Sequence, residues 1–282
     1  MGIDLIGKLY EILDKEFIEE FIKLININCR SIRKPKYSNE YYLYYIILVL
    51  TDLKSWKSLK LLLPEKHINH YKTIQDKHLE WSKGKLYEKA YKSINAKYNT
   101  SKLKGSANLT LFIDSTNVYN KGGQEKIGYG QNPKKQESRI SALCDKNKNI
   151  YSLTLVTPRQ KTETKRTFHN DSRTIEQSLD NLSETPIKYN ALNLVGDKGY
   201  ALKPIPKAEL KSKRNVNLIY PHRRNQKIKT PAEHKVLLKD RYVIENVFAK
   251  LKVYGRICVR MDKLESTFMG FAYLAAMLIF KK

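Results

Sequence analysis

A change of hydrophobic period near residue 107 constrains this chain more than any other feature it carries. Before it, apolar residues recur at helical spacing: Leu5, Leu9, Ile12 and Leu13, continued by Phe17, Phe21 and Leu24. A second helix is expected from about Asn39 to Asp52 with Ser38 as its N-cap, and further helices over Trp56–Leu63 and Thr73–Asn95. After it come short apolar runs typical of strands: Leu109–Ile113, Glu137–Cys144, Ile150–Val156, Ala191–Val195 and Asn215–Ile219. Helical stretches separate or follow these runs, from about Ser172 to Leu182, Pro206–Lys213, His234–Tyr254 and Leu264–Phe280. Strands and helices in this order indicate an α/β domain with a mixed sheet, preceded by a small all-helical domain. The segment Tyr98–Ala107, rich in Ser, Lys, Asn and Gly, marks the linker, so the expected domains are residues 1–105 and 106–282.

Charge narrows the partners. The 282 residues carry a formal net charge of +25, and self-repulsion on that scale points to a polyanion. Nucleic acid is the first candidate, although a Lys-, Asn-, Ile- and Tyr-rich composition also follows from an AT-rich genome. The three cysteines, Cys29, Cys144 and Cys258, lie far apart and form no metal-type pair. His67 and His70 have a spacing that a metal could use, but no Cys or third His accompanies them. Acids and bases run through the first thirty residues, unlike a signal peptide, and the apolar stretches 41–50 and 268–280 fall short of the ~20 residues of a spanning helix. A soluble, cytoplasmic chain acting at the nucleoid, or in the nucleus of a eukaryotic host, is the expectation. The basic helices at the N-terminus suit either a helix-turn-helix-like DNA-binding module or a dimerisation scaffold.

Two apolar runs lead into carboxylates. Ile113-Asp114-Ser115-Thr116 and Val195-Gly196-Asp197-Lys198-Gly199-Tyr200 place an Asp where open α/β sheets put their sites, although each is also an ordinary turn or cap sequence. The third element is Arg241-Tyr-Val-Ile-Glu245-Asn-Val-Phe-Ala-Lys-Leu-Lys252. On one helix Arg241 and Glu245 share a face and Lys252 returns to it about 10 Å further along, while Val243, Val247 and Leu251 form a docking stripe. A solvated face with an exposed ion pair has the same pattern. Taken together, two strand-end aspartates and a helix-borne glutamate can hold two divalent ions and cleave a phosphodiester. Oxygen ligands select Mg²⁺ or Mn²⁺, and Arg241 and Lys252 would meet the flanking phosphates.

With these residues the chain resembles the DDE transposases of bacterial insertion sequences, specifically the insertion-sequence-five-like branch of the insertion-sequence-four superfamily. The matches are Asp114-Ser115-Thr116, the turn Asp197 to Tyr200, and the Arg-x3-Glu-x6-Lys pattern of Arg241, Glu245 and Lys252. Further matches are Arg256, Arg260, Phe268 and Phe271–Ile279 downstream, Trp56, Thr73 and Trp81-Ser82-Lys83-Gly84 upstream, and His169-Asn170-Asp171-Ser172 between. Leu238 stands where the pattern often has Tyr, and Glu137-Ser138-Arg139 lacks the usual Thr-Lys. The resemblance implies a ribonuclease H-like catalytic domain whose Asp114, Asp197 and Glu245 bind two Mg²⁺, with Mn²⁺ as a substitute. It implies cutting of transposon terminal inverted repeats and joining of the 3′-hydroxyl to target DNA, by a homodimer on paired ends. The DNA-binding residues expected are Arg241, Lys252, Lys198, Tyr200, Arg223, Arg224 and Arg256. The stretch Lys203–Lys229, with nine Lys or Arg and one Glu, is a candidate phosphate track, with Tyr220 and His222 available for stacking. A catalytically silent transposase-derived DNA-binding protein and a general metal-dependent nuclease on the same fold are the alternatives.

Overall fold

The computed structural model describes residues 5–29, 36–52, 55–63, 70–102, 108–129, 135–158, 174–183, 190–222 and 230–280. The first helical stripe is broken in two, α1 (Leu5–Ile12) and α2 (Lys15–Asn28). Asp14 makes the break: its carboxylate accepts from the amides of Glu16 and Phe17 at 2.9 and 3.4 Å, starting a new helix. Phe17, Phe21 and Ile25, rather than Leu24, take the buried face of α2. Helix α3 (Asn39–Thr51) begins at Ser38 as expected, the Ser38 hydroxyl accepting from the Tyr41 amide at 3.3 Å. Trp56–Leu61 is a 3-10 turn. The stretch expected as one helix over Thr73–Asn95 is two, α4 (Tyr71–Lys83) and α5 (Leu86–Lys102). They part at Gly84 and Lys85, the latter with φ +55°, so the helical part of the chain runs past the expected linker start at Tyr98.

The strands follow in chain order: β1 (Asn108–Asn120), β2 (Gly128–Tyr129), β3 (Gln136–Cys144) and β4 (Ile150–Val156). Then come α6 (Thr174–Ser183), β5 (Ala191–Val195), α7 (Pro204–Arg214), β6 (Val216–Ile219), α8 (Ala232–Lys239) and α9 (Tyr242–Leu251). Strand β3 runs antiparallel to β1 on one edge and to β4 on the other, with the short β2 beside its first residues. On the far side of β1, β5 and then β6 are parallel to it. An antiparallel set continued by two parallel strands is the mixed sheet expected of the α/β domain. The β3–β4 turn forms around Asp145, whose Oδ1 accepts from the amides of Asn147 and Asn149.

The core of this sheet is made by alternation. Leu109, Leu111 and Ile113 of β1 and Leu192 and Leu194 of β5 face one side, where Ile175, Leu179 and Leu182 of α6 join them. Ser141 of β3 and Ser178 of α6 share a buried hydrogen bond at 2.9 Å, so the polar atoms of that contact are satisfied. Asn215, left-handed at φ +51°, ends α7 and turns the chain into β6.

After α9 come α10 (Gly255–Cys258) and α11 (Glu265–Phe280). Packing groups the chain into two compact units: Met1–Ile94 with Lys121–Glu125 and Leu251–Lys282, and Asn95–Asn120 with Lys126–Lys250. In the first unit α11 lies close on α4, at a point where a Cβ on Gly270 would stand 2.4 Å from the Ser82 hydroxyl. Trp81 is fully buried there and meets Phe21 edge-on at 5.3 Å, a geometry worth about 0.5–1.5 kcal/mol beyond area burial. Arg260, wholly buried, donates to the carbonyls of Glu125, Asp262 and Lys263 and so binds the 121–125 segment to this unit. Among the described residues no helix is long and apolar enough to cross a membrane.

Candidate active site

All three expected carboxylates fall in the second unit. Strand β1 pairs with β5 in constant register from Asn108 opposite Ala191 to Phe112 opposite Val195. The pairing ends there, and Asp114 on β1 and Asp197 after β5 each follow its last pair by two residues, which puts both aspartates toward the carboxyl end of β5. Strand β1 was expected to stop at Ile113. It runs on to Asn120 because its other edge stays paired with β3, Asp114 opposite Ala142 and Tyr119 opposite Glu137. The backbone of Asp114 is therefore held in the sheet by β3.

Local bonds orient both carboxylates. The Oδ1 of Asp114 accepts from the Ser115 amide at 2.8 Å, leaving Oδ2 to point elsewhere. The Oδ1 of Asp197 accepts from the Gly199 amide at 2.7 Å and caps the 3-10 turn Lys198–Tyr200. Tyr200 is buried with its ring over Gly196, and its hydroxyl donates to Ser115 Oγ at 3.5 Å, so the residues next to the two aspartates are linked.

The helix carrying Glu245 differs from the expected one. His234–Tyr254 is not continuous: α8 and α9 are separated by a turn at Asp240–Arg241, and Arg241 precedes the first residue of α9. Lys146, in the β3–β4 turn, anchors this break by an ion pair to Asp240 Oδ2 at 2.9 Å, which raises the Lys146 ammonium above its usual value. From the turn, Arg241 reaches two carboxylates at once. Its Nη1 donates to Asp114 Oδ2 at 3.1 Å and its Nη2 to Glu245 Oε1 at 2.6 Å. Val243, Ile244 and Val247 bury the other face of α9, and Lys252 follows the last residue of that helix.

This geometry joins Asp114 to Glu245 through a shared cation and leaves Asp197 two residues past the end of the β1–β5 pairing. Among the described residues, no three His, Cys, Asp or Glu side chains converge closely enough to hold one ion. The donor chemistry nevertheless fits a hard divalent cation: Asp114 Oδ2 and Glu245 Oε1 already turn toward a common positive charge, which the guanidinium of Arg241 supplies.

The remaining expected DNA contacts separate into groups. Lys198 is exposed, next to Asp197. Tyr200 is corrected by the structure: fully buried in the sheet core, its ring offers no surface to DNA. Arg256 is corrected likewise. It is only 4% exposed, donates to both oxygens of Asp262 at 3.0 Å, and stacks over Trp56 and Phe271. Arg223, Arg224, the His169–Ser172 match and His67 lie outside the described residues. In the candidate phosphate track, Lys207 sits 4.9 Å above the Tyr220 ring, and Tyr220 and His222 are 5.8 Å apart. The cysteines are free, as expected, and burial followed by the charges of Asp145 and Asp114 pushes the Cys144 thiol well up. Lys146 was missed: nothing in its Asp-Lys-Asn-Lys-Asn setting marks it as anything but a turn residue.

Fold and carboxylates together define a mixed α/β domain with two aspartates toward the carboxyl end of β5 and a helix-borne glutamate tied to one of them. The profile of the transposase DDE domain family matches residues 105–280, well over half of the chain, and the chain belongs to that family. The family's activity is DNA cutting and joining, and its cofactors are divalent metal ions. The sequence matches no curated protein. Among solved structures it is similar to the piggyBac transposase in a synaptic complex with hairpin DNA, at 16% identity and a TM-score of 0.39 over 80% of this chain. It spans about half of that protein, 52%. It is also similar to the Mos1 transposase in a pre-cleavage transpososome, at 10% identity and a TM-score of 0.30, covering 89% of this chain and 80% of that one. For the Mos1 strand transfer complex the values are 13% identity, a TM-score of 0.31, and 89% and 78% coverage.

Proposed function

We propose that this chain is an insertion-sequence transposase of the insertion-sequence-five-like branch, cutting transposon ends and joining them to target DNA. The observation that supports this reading is Glu245 tied to Asp114 through Arg241, with Asp197 two residues past the last β1–β5 pair, inside the span matched by the DDE family. Asp114, Asp197 and Glu245 are the metal ligands in this reading, holding two Mg²⁺ with Mn²⁺ as a substitute. Bound ions of this kind supply Lewis acidity to the attacking and leaving oxygens of a phosphodiester.

The protein's own residues bind and orient the DNA. Lys198 and Arg241 take backbone phosphates next to the scissile bond, and Lys252, Arg223 and Arg224 add further phosphate contacts. The exposed lysines of α7, with Lys207 over Tyr220, extend this contact as a sequence-independent track. Reading of the terminal inverted repeats, or pairing of two copies on two ends, falls to the N-terminal helices of residues 1–105. The partners are then double-stranded DNA and a second copy of this chain, and the site of action is the nucleoid, or the nucleus of a eukaryotic host.

The test uses purified full-length protein, Mg²⁺ or Mn²⁺, and a duplex carrying the inverted repeats that flank its gene. Nicking or joining is expected at the repeat end, and Asp114→Asn, Asp197→Asn and Glu245→Gln are expected to abolish it with DNA binding retained. Undiminished cleavage by any one variant would remove that residue from the site. Equal cleavage of duplexes lacking the repeats would replace the transposase with a general nuclease.

A further inference from the structure

We infer that Arg241 is a resident counter-cation of the carboxylate site, holding Asp114 and Glu245 until divalent ions displace it. The inference rests on the metal site proposed above. Its basis is the shared guanidinium, 3.1 Å from Asp114 Oδ2 and 2.6 Å from Glu245 Oε1. The Arg side chain is 28% exposed, and those of Asp114 and Glu245 are 22% and 56% exposed, so the pair is open enough for exchange with solvent ions.

Competition follows from the atoms involved. A divalent ion binds carboxylate oxygens at about 2.0–2.1 Å and uses the lone pairs that now accept from Arg241. Both cations cannot occupy Asp114 Oδ2 and Glu245 Oε1 in their present directions. A guanidinium leaves the two carboxylates with one uncompensated charge, and a divalent ion leaves none, so the exchange favours the metal once it is abundant. The placement of Arg241 suits a part that must leave. It sits in the turn before α9 rather than inside the helix, on a junction fixed separately by Lys146 and Asp240. Metal loading therefore frees a guanidinium beside the carboxylates at the step where a phosphate needs one. Arg241 is a positioning residue in the metal-free protein, and its exchange ties the two states together.

The experiment is calorimetric titration of Mn²⁺ into the full chain without DNA, with folding checked by circular dichroism. Removing the competitor should tighten binding: Arg241→Gln is expected to raise Mn²⁺ affinity roughly three- to fivefold, the scale of a part-exposed ion pair. Arg241→Lys keeps the charge but lacks the two-pronged fit, and a gain of roughly two- to threefold is expected. It also serves as the second reading should Arg241→Gln fold poorly. An unchanged or weaker affinity in the folded Arg variants, with binding still abolished by Asp114→Asn, overturns the counter-cation and leaves the metal site standing. Mn²⁺ binding that ignores Asp114→Asn in both backgrounds overturns the metal site and the inference with it.

Discussion

The ring of Tyr200 covers Gly196 so closely that a Cβ at that glycine would stand 2.8 Å from Cδ2 and 2.9 Å from Cγ. Tyr200 is fully buried and cannot swing aside, so the chain between β5 and Asp197 must be glycine for the turn to close. Gly196→Ala is therefore expected to cost about 1–3 kcal/mol of stability, the range for overpacking a filled core. It should also shift Asp197 and lower cleavage. Gly255→Ala, where a Cβ meets nothing within 4 Å, is the control and should stay within about 0.5 kcal/mol. Urea unfolding of the two variants, giving equal midpoints, would refute the steric account.

Arg256 and Asp262 form a pair with side chains 4% and 7% exposed. Burial raises the Asp262 carboxyl above its usual range, and Arg256 opposes that shift. Arg256→Ala leaves a buried carboxyl without its cation and is expected to destabilise by about 3–5 kcal/mol. Below the melting temperature, DNA affinity should hold near the parent value, since the guanidinium does not reach the surface. A large loss of DNA affinity in a variant of unchanged stability would restore Arg256 as a phosphate contact.

His78 is fully buried between the Tyr87 hydroxyl and the Thr267 carbonyl, each at 3.1 Å. Burial lowers its pKa from 6.5 to about 3; the Thr267 carbonyl opposes the shift and Arg256 adds to it. Between those values the unfolded chain binds the proton and the folded one does not. Stability from this group is thus complete above pH 6.5 and falls as the solution is acidified toward pH 3. The slope is at most about 1.4 kcal/mol per pH unit. Wild type and His78→Gln, unfolded in urea at a series of pH values from 7 to 4, should converge in stability as pH falls. Parallel profiles would assign the acid sensitivity elsewhere.

Local signals located most elements. Ile150–Val156 and Ala191–Val195 were legible to the residue, because each is a compact apolar run between turn-forming residues. Strand β1 was legible only to Ile113, since Asp114 to Asn120 is mostly polar and owes its extended form to pairing with β3. The breaks before α5 and α9 were hidden for a related reason. Asp240–Arg241 contains neither Gly nor Pro, and Gly84–Lys85 sits inside an unbroken helical pattern. Composition divides the chain at 105/106, whereas packing groups residues 251–282 with the N-terminal helices, a grouping that no local pattern encodes.

The sequence by itself determined the order of the three carboxylates, the apolar strands that lead into two of them, and the basic residues around the third. Those depend on period and turn chemistry, which act within a few residues. Only the tertiary structure decided that Arg241 meets Asp114 across 127 residues of chain, that Tyr200 closes over Gly196 instead of facing DNA, and that Arg256 is buried against Asp262. A charged side chain carries no mark of its partner until the chain has folded. Burial and distance then choose between a phosphate outside the protein and a carboxylate within it.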